Sequence, residues 1–315
     1  MDFFNVPLIA DADAGTTEKI RLYLVVYPLA KTKGVMGVWT NPGIGISTRL
    51  AEVLVPLFDA SGEQFKVVDW AATGSDFLPK SGTLAEKKDV PEPTYLPESD
   101  AHQKLRERIV ALCQRMPRDA EIAARLKPED VFLYTTGMAA VFRLQEALVK
   151  AGRKGPVVAL GAVFHSTFHL FEELDEEHDD AANAEGETQK EVEKFKHFGN
   201  CEDSDKVMDE LEEYCKDLQQ KGQKVGYLFV EFPSNPLLVC VDLERLRKIA
   251  DAYDFPVVID DTVGSFANID VLPVADVVVT SLTKTFSGFA DVSRSEPPSI
   301  LSDLSPFWGV VFSPP

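Results

Sequence analysis

Ala275-Asp276-Val277-Val278-Val279-Thr280-Ser281-Leu282-Thr283-Lys284-Thr285-Phe286-Ser287-Gly288 is the stretch on which the reading of this chain turns. A run of β-branched residues ends in hydroxyls, one lysine and a glycine. That is the pattern of a buried strand delivering polar side chains to a cleft at its carboxyl end. Lys284 is the candidate catalytic residue. A lysine just beyond a buried strand is expected to be partly desolvated, which makes its neutral amine available to condense with an aldehyde. Ser281 and Thr283 are candidate phosphate ligands. Alone, the stretch also fits a strand followed by a solvated lysine in a turn, so the other strand ends must decide.

Working outward, Val257-Val258-Ile259-Asp260 and Gly226 to Phe232 read as strands, the latter broken by Pro233-Ser234-Asn235-Pro236. Leu243, Leu246, Ile249 and Tyr253 line a helix between them, and Val207, Leu211, Tyr214 and Leu218 line one before, ended by Gly222. Further back, Pro156–Leu160 and Val131–Tyr134 are apolar strands. Met138 to Lys150 is a helix closed by Gly152, and Leu105, Ile109, Leu112 and Met116 mark an amphipathic helix from Asp100. Strands alternating with helices imply an α/β fold with a mostly parallel sheet covered on both faces. Before Asp100 the pattern is mixed. Leu22–Tyr27 reads as a strand, Asn41–Gly45 as a turn, Arg49–Phe58 as a short apolar element and Lys80–Pro97 as an exposed connection.

Ligands in such a sheet sit beyond the carboxyl ends of the strands. This sequence places Gly137 and Met138, Phe164, Asn235 and Asp260, then Ser281, Thr283 and Lys284 there. Backbone amides at a helix start and two hydroxyls suit a phosphate. An aromatic suits the face of a planar ring, and a carboxylate at a strand end suits a ring nitrogen kept protonated, while the lysine condenses with an aldehyde. Together they describe a site for pyridoxal 5'-phosphate. His165 and His169, four apart, lack a third ligand and are read as ordinary packing, so no metal is expected.

These residues resemble the Cys/Met-metabolism enzymes dependent on pyridoxal phosphate, of the aspartate-aminotransferase-like fold, and fungal cystathionine gamma-synthase-like members in particular. Thr136-Gly137-Met138-Ala139-Ala140 is similar to that family's phosphate-binding turn, and Glu231-Phe232-Pro233-Ser234-Asn235-Pro236 to its E-x-P-x-N-P segment. Asp260-Asp261-Thr262 resembles its D-N-T, whose first Asp meets the ring nitrogen. Ser281-Leu282-Thr283-Lys284 and Gly288-Phe289-Ala290-Asp291 resemble its S-x-T-K and G-H-x-D block. Three departures stand out. Phe164 occupies the place of a ring-stacking Tyr, so the hydroxyl is lost. Tyr95-Leu96-Pro97 lies near a family Tyr-x-Arg arm but has no Arg. After Val292 the family's small C-terminal domain, about a hundred residues on the usual domain scale, has no visible match.

The resemblance implies gamma-substitution on an O-acylated homoserine with a thiol, cysteine giving cystathionine; lyase and sulfhydrylase reactions use the same motifs. It also implies a homo-oligomer, dimer or tetramer. The rival expectation is a truncated cofactor-binding protein without turnover. A dinucleotide-binding module is disfavoured because no G-x-G-x-x-G follows the first clear strand. The expected organisation is an N-terminal segment over 1–99, a cofactor-binding large domain over 100–292 with an acidic insertion at 172–194, and an atypical tail over 293–315. That tail holds five prolines and six serines in 23 residues, so it is expected to supply no strands or helices of a small domain. Its Phe307–Phe312 run is expected to be an uncovered apolar patch.

Composition narrows the partners. With 45% hydrophobic and 26% charged residues the chain is ordinary globular protein, and a net charge of -19 disfavours nucleic acid or an anionic membrane. The acidic run Glu172–Asp180 reads as a solvated surface segment. Four scattered cysteines give neither a zinc pattern nor a disulfide framework, which fits a reducing, cytosolic setting. No basic-then-apolar leader opens the sequence and no apolar run approaches the length of a membrane span, so a soluble, unexported protein is expected.

Overall fold

The structure is a computed structural model and describes residues 2–7, 19–24, 30, 32, 36, 37, 40, 100–134, 136–173, 194–288 and 309–312. The chain divides into two compact units, one of Met1–Val35 with Ile46–Glu98, the other of Met36–Gly45 with Ser99–Pro315. In the first, β1 (Asp2–Pro7) and β2 (Lys19–Leu24) form an antiparallel pair. β2 meets the expected strand at Leu22–Leu24. The expected elements at 41–45, 49–58 and 80–97, the Tyr95 segment and the acidic residues 174–180 lie outside the described residues.

The second unit carries a seven-stranded sheet. Its elements run α1 (Asp100–Cys113), α2 (Ala120–Arg125), β3 (Val131–Tyr134), α3 (Gly137–Lys150), β4 (Val157–Leu160), α4 (residues 165–173), β5 (Phe195–Phe198), α5 (Ser204–Gln220), β6 (Tyr227–Glu231), α6 (Leu243–Tyr253), β7 (Val257–Asp260), β8 (Val277–Ser281) and β9 (Gly309–Phe312). Spatial order is β3-β9-β8-β7-β6-β4-β5. β5, β4, β6, β7 and β8 pair in parallel, whereas β9 runs antiparallel between β8 and β3.

Both faces of this sheet are buried, and the period of two along each strand sorts the side chains between them. Val158, Leu160, Leu228, Val230, Val257, Ile259 and Val278 join a core with α1, α5 and α6, from which Ile109, Met208, Leu211 and Leu246 contribute. Val157, Ala159, Tyr227, Phe229, Val258, Val277 and Val279 face the other way, against Ala140, Val141 and Leu144 of α3 and Leu170 and Phe171 of α4. Helix ends are set by local chemistry. Thr136, Asp203 and Asp242 cap α3, α5 and α6 by accepting from N–H groups of their first turns. Gly152 and Gly222 take the positive φ needed just past α3 and α5.

Three expectations need correction. Met116 lies beyond the end of α1 and is exposed; Val110 and Cys113 extend the buried stripe of Leu105 and Ile109 instead. β5 is an additional strand, unmarked in the sequence because Phe-Lys-His-Phe lacks a continuous apolar run, yet it forms the sheet edge beside β4. Gly309–Phe312, in the tail expected to supply no strands, forms one, its backbone paired on both sides, with Val131–Tyr134 and with Val278–Ser281.

Candidate active site

The alternation that fills the core also aims the site. Glu231 follows Tyr227 and Phe229 in phase, Asp260 follows Val258, and Ser281 follows Val277 and Val279. All three therefore point to the face covered by α3 and α4. Each is the last residue of its strand, and β6, β7 and β8 are consecutive neighbours with parallel ends. Glu231 and Asp260 are direct register partners. Thr280 and Asp261, one residue out of phase, fall on the opposite face.

Gly137 opens α3 against Ser281. A Cβ built on Gly137 would lie 3.1 Å from the Ser281 Cβ and 3.3 Å from its Oγ, so only glycine lets the helix start come this close without displacing the serine. In the first turn the Thr136 hydroxyl accepts from the Ala139 N–H at 2.8 Å and its carbonyl from that of Ala140 at 3.1 Å. The Gly137 and Met138 N–H groups, at the positive end of the helix dipole, could hold an anion. Met138 also borders α4, where the Thr167 hydroxyl reaches its sulfur at 3.6 Å. Beyond Ser281 the turn is fixed by buried Leu282, by the Ser287 and Gly288 N–H groups donating back to Leu282 and Lys284, and by the Thr285 hydroxyl donating to the Thr262 carbonyl. Along it, Ser281 Oγ and Thr283 Oγ1 are 3.1 Å apart, and Lys284 Nζ donates to Thr283 Oγ1 at 3.0 Å.

Lys284 lies just past the end of β8, where the sequence puts it, but its surroundings differ from expectation. The side chain is exposed, not desolvated, because it sits in the turn past the strand end. An acidic neighbour feels its charge. Burial holds the Asp260 carboxyl above its usual range, and the Thr262 hydrogen bonds and the charge of Lys284 oppose that rise.

Thr262 joins the two halves of the site. Its hydroxyl and its N–H donate to Asp260 Oδ1, at 2.5 and 2.9 Å, while its Oγ1 accepts the Ser281 N–H at 2.8 Å. Both Asp260 bonds fall on one oxygen, which leaves Oδ2 for a ligand. Phe164, the residue before α4, is 45% exposed, which leaves its ring open to contact. Asn235, in the loop after β6, is half-buried. Phe164 and Asn235 are tied to the site through a third residue: each donates its backbone N–H to Glu231, at Oε1 and at Oε2 (3.2 Å) respectively.

His165 and His169 face each other with Nε2 atoms 3.0 Å apart, and His169 Nδ1 meets Glu172 at 2.8 Å. Among the described residues no group of three or more His, Cys, Asp or Glu could hold a metal.

Sequence reasoning missed the neighbour of Asp260. Asp261 is fully buried, accepts a hydrogen bond from the Thr280 hydroxyl through Oδ1, and has no partner for Oδ2. Burial, reinforced by the charge of Asp260, pushes its carboxyl up to about 8. Stability is linked to that proton. Between roughly pH 4, where an unfolded Asp ionises, and about 8, the folded chain keeps a proton that the unfolded chain has lost, so stability falls as pH rises. The limit is about 1.4 kcal/mol per pH unit from one such group. Asp261→Asn keeps the acceptor for Thr280 and removes the ionisation. Its stability relative to the parent, measured by urea unfolding, should improve steadily from pH 5 to pH 8; a constant difference across that range would contradict the assignment.

The donor set fits pyridoxal phosphate on two structural grounds. The close approach of Gly137 to Ser281 brings a helix N-terminus and two hydroxyls together as a phosphate cradle, and Asp260 combines a raised pKa with an uncommitted oxygen, a site that gains from a cationic ring nitrogen.

Comparison with known proteins agrees. Residues 115–294, more than half of the chain, match the model of the Cys/Met metabolism PLP-dependent enzymes. An alanine racemase of Aspergillus violaceofuscus is 33% identical over 282 residues, 90% of this chain and 42% of that protein. Cystathionine gamma-synthase of Neurospora crassa is 37% identical over 184 residues, 57% of this chain and 26% of the enzyme. The chain thus spans less than half the length of these relatives. Among solved structures, cystathionine gamma synthase of Xanthomonas oryzae pv. oryzae, in complex with aminoacrylate and cysteine, aligns at 19% identity and a TM-score of 0.41 over 69% of this chain and 43% of that one. From the extent of the family match, and with a doubly covered parallel sheet whose strand ends carry the motifs, the chain belongs to the Cys/Met metabolism enzymes and its cofactor is pyridoxal phosphate.

Proposed function

We propose that Lys284 carries the cofactor and that the site serves gamma-substitution in sulfur amino-acid metabolism, O-acylhomoserine and cysteine giving cystathionine. The observation that supports this most is the continuous run of bonds from Lys284 through Thr283 to Ser281, and from Ser281 through Thr262 to Asp260, across two adjacent strand ends. Pyridoxal phosphate, when bound, supplies an electron sink for charge developing at the substrate alpha carbon.

The residues divide the work. Gly137, Met138, Ser281 and Thr283 would hold the phosphate, Phe164 would cover the ring, Asn235 would border it, and Asp260 Oδ2 would keep the ring nitrogen protonated, with Thr262 orienting the carboxylate. Lys284 Nζ, as free amine, would take the alpha proton. The acyloxy group leaves the gamma carbon as a carboxylate, and the thiol sulfur forms the new bond there while its proton is lost. Phe164 has no hydroxyl to share this proton traffic, which leaves it to Lys284. A homo-oligomeric, cytosolic protein belongs to the same proposal. Support for the setting comes from four cysteines that are all unpaired, three of them buried. Among the described residues, no helix is long and apolar enough to cross a membrane.

A second reading is favoured by one observation, the racemase relative that aligns over 90% of the chain. Proton removal at the alpha carbon by Lys284 is common to both readings; they differ in whether a gamma substituent then leaves or a proton returns to the opposite face of that carbon. The purified protein supplied with cofactor is expected to form cystathionine from O-acylhomoserine and cysteine. Formation of D-alanine from L-alanine, with no cystathionine, would favour the racemase reading. Cofactor bound with neither product would leave the chain a binder without turnover and overturn the proposal.

A further inference from the structure

We propose that Glu231 is a positioning residue of this site, a buried clamp that sets the two loops carrying Phe164 and Asn235; this rests on the cofactor reading above. Glu231 is 5% exposed and ends β6, the strand between β4 and β7. The loop bearing Phe164 leaves β4 and the loop bearing Asn235 leaves β6 itself. One oxygen of the carboxylate accepts the Phe164 N–H and the other accepts the Asn235 N–H. A single side chain therefore sets the spacing between the residue that covers the ring and the residue that borders it.

Chemistry distinguishes this from an incidental buried acid. A carboxylate accepts at both oxygens, whereas an amide or a protonated acid presents one full acceptor and one donor. Two converging N–H groups thus select the ionised form. Against them stand burial and the charge of Asp260, its register partner, which push the Glu231 carboxyl up to about 8. Both acceptor positions are therefore present above about pH 8, and below it one oxygen carries a proton. The loop after β6 also has supports of its own. Ser234 Oγ and N–H bond to Val239, and the Leu238 N–H donates to the Ser234 carbonyl. These order the loop internally but tie nothing to the Phe164 side, so losing Glu231 should release the relation between the loops and not the loops' existence.

The test is hydrogen exchange on the cofactor-free protein at about pH 9, above the Glu231 titration at about 8, where the carboxylate offers both acceptors. In Glu231→Gln one of the two N–H groups meets an amide NH2, and in Glu231→Ala both lose their acceptor. Protection of the Phe164 and Asn235 amides should fall by about tenfold or more, in one for Gln and in both for Ala, while the amides of Leu228 and Val230 in β6 keep theirs. Cofactor affinity should fall about tenfold in parallel, and Glu231→Asp, one methylene shorter, should recover neither fully. Unchanged protection at Phe164 and Asn235, or a loss spread equally over β6, would overturn the clamp. Because exchange is read without cofactor or substrate, failure of the proposed reaction would leave this result standing, and failure of the clamp would leave the cofactor reading untouched.

Discussion

Lys284→Ala is expected to yield a protein that still binds pyridoxal phosphate yet holds none of it covalently. The proposed phosphate ligands lie elsewhere, in the Gly137 and Met138 N–H groups and the Ser281 and Thr283 hydroxyls, and the turn that carries the two hydroxyls is fixed by buried Leu282 and by backbone bonds that the substitution does not touch. What disappears is the amine that condenses with the aldehyde. In the parent, visible absorbance should be lost on borohydride reduction, and peptide mapping should find the pyridoxyl group on Lys284. In the variant no reducible chromophore should form, and the cofactor should leave on dialysis. Any turnover should fall to background, since the covalent carrier and the proposed base are one residue. A pyridoxyl group mapped to another lysine would remove Lys284 from its role.

That experiment concerns a residue whose position, though not its environment, is readable from the chain. β-Branched runs and the polar residues ending them identify buried parallel strands and their outlets, because sequence neighbours alone determine both. So Ser281 and Asp260 end strands, Asn235 lies in the loop after one, and Gly137 sits at a helix start. The exposure of Lys284 is not readable, because it depends on how far a turn carries the side chain past elements that are distant in sequence. The contact of Gly137 with Ser281 and the pairing of Glu231 with Asp260 are likewise tertiary, made by strand order. Glu231 stands in a recognised motif without a task visible in the sequence, since its two partners are backbone groups that no sequence pattern marks. Asp261 reads as a mere neighbour of the functional acid, and only the alternation along β7 and β8 sends it to the opposite face and leaves one of its oxygens orphaned. The strand Gly309–Phe312 is hidden for a further reason. Its flanks are rich in proline and serine, which argue locally against a strand, while both its pairing partners lie far away in sequence.

Asp260→Asn should separate binding from chemistry. Thr262 donates twice to a single Asp260 oxygen, and an asparagine can present its Oδ1 to the same two donors, so the fold of the turn and its tie to the Ser281 N–H should persist. The other position then carries an NH2 in place of a carboxylate oxygen. A donor there cannot keep a ring nitrogen protonated, and a charge-assisted contact made in a buried place is lost. Cofactor affinity should change little, because the phosphate contacts remain. If the chain turns over by the proposed reaction, its barrier should rise by about 2–4 kcal/mol, on the order of 30- to 1000-fold in rate. The pH behaviour supplies a readout that does not need turnover. Asp260 is one cause, after burial, of the raised pKa of Glu231, so removing its charge should bring the Glu231 titration down from about 8, with burial still holding it above an ordinary glutamate. Carboxylate titration by NMR or infrared difference spectra in parent and variant would show the shift. Unchanged turnover in an active parent, or a Glu231 titration indifferent to the substitution, would refute the role given to Asp260.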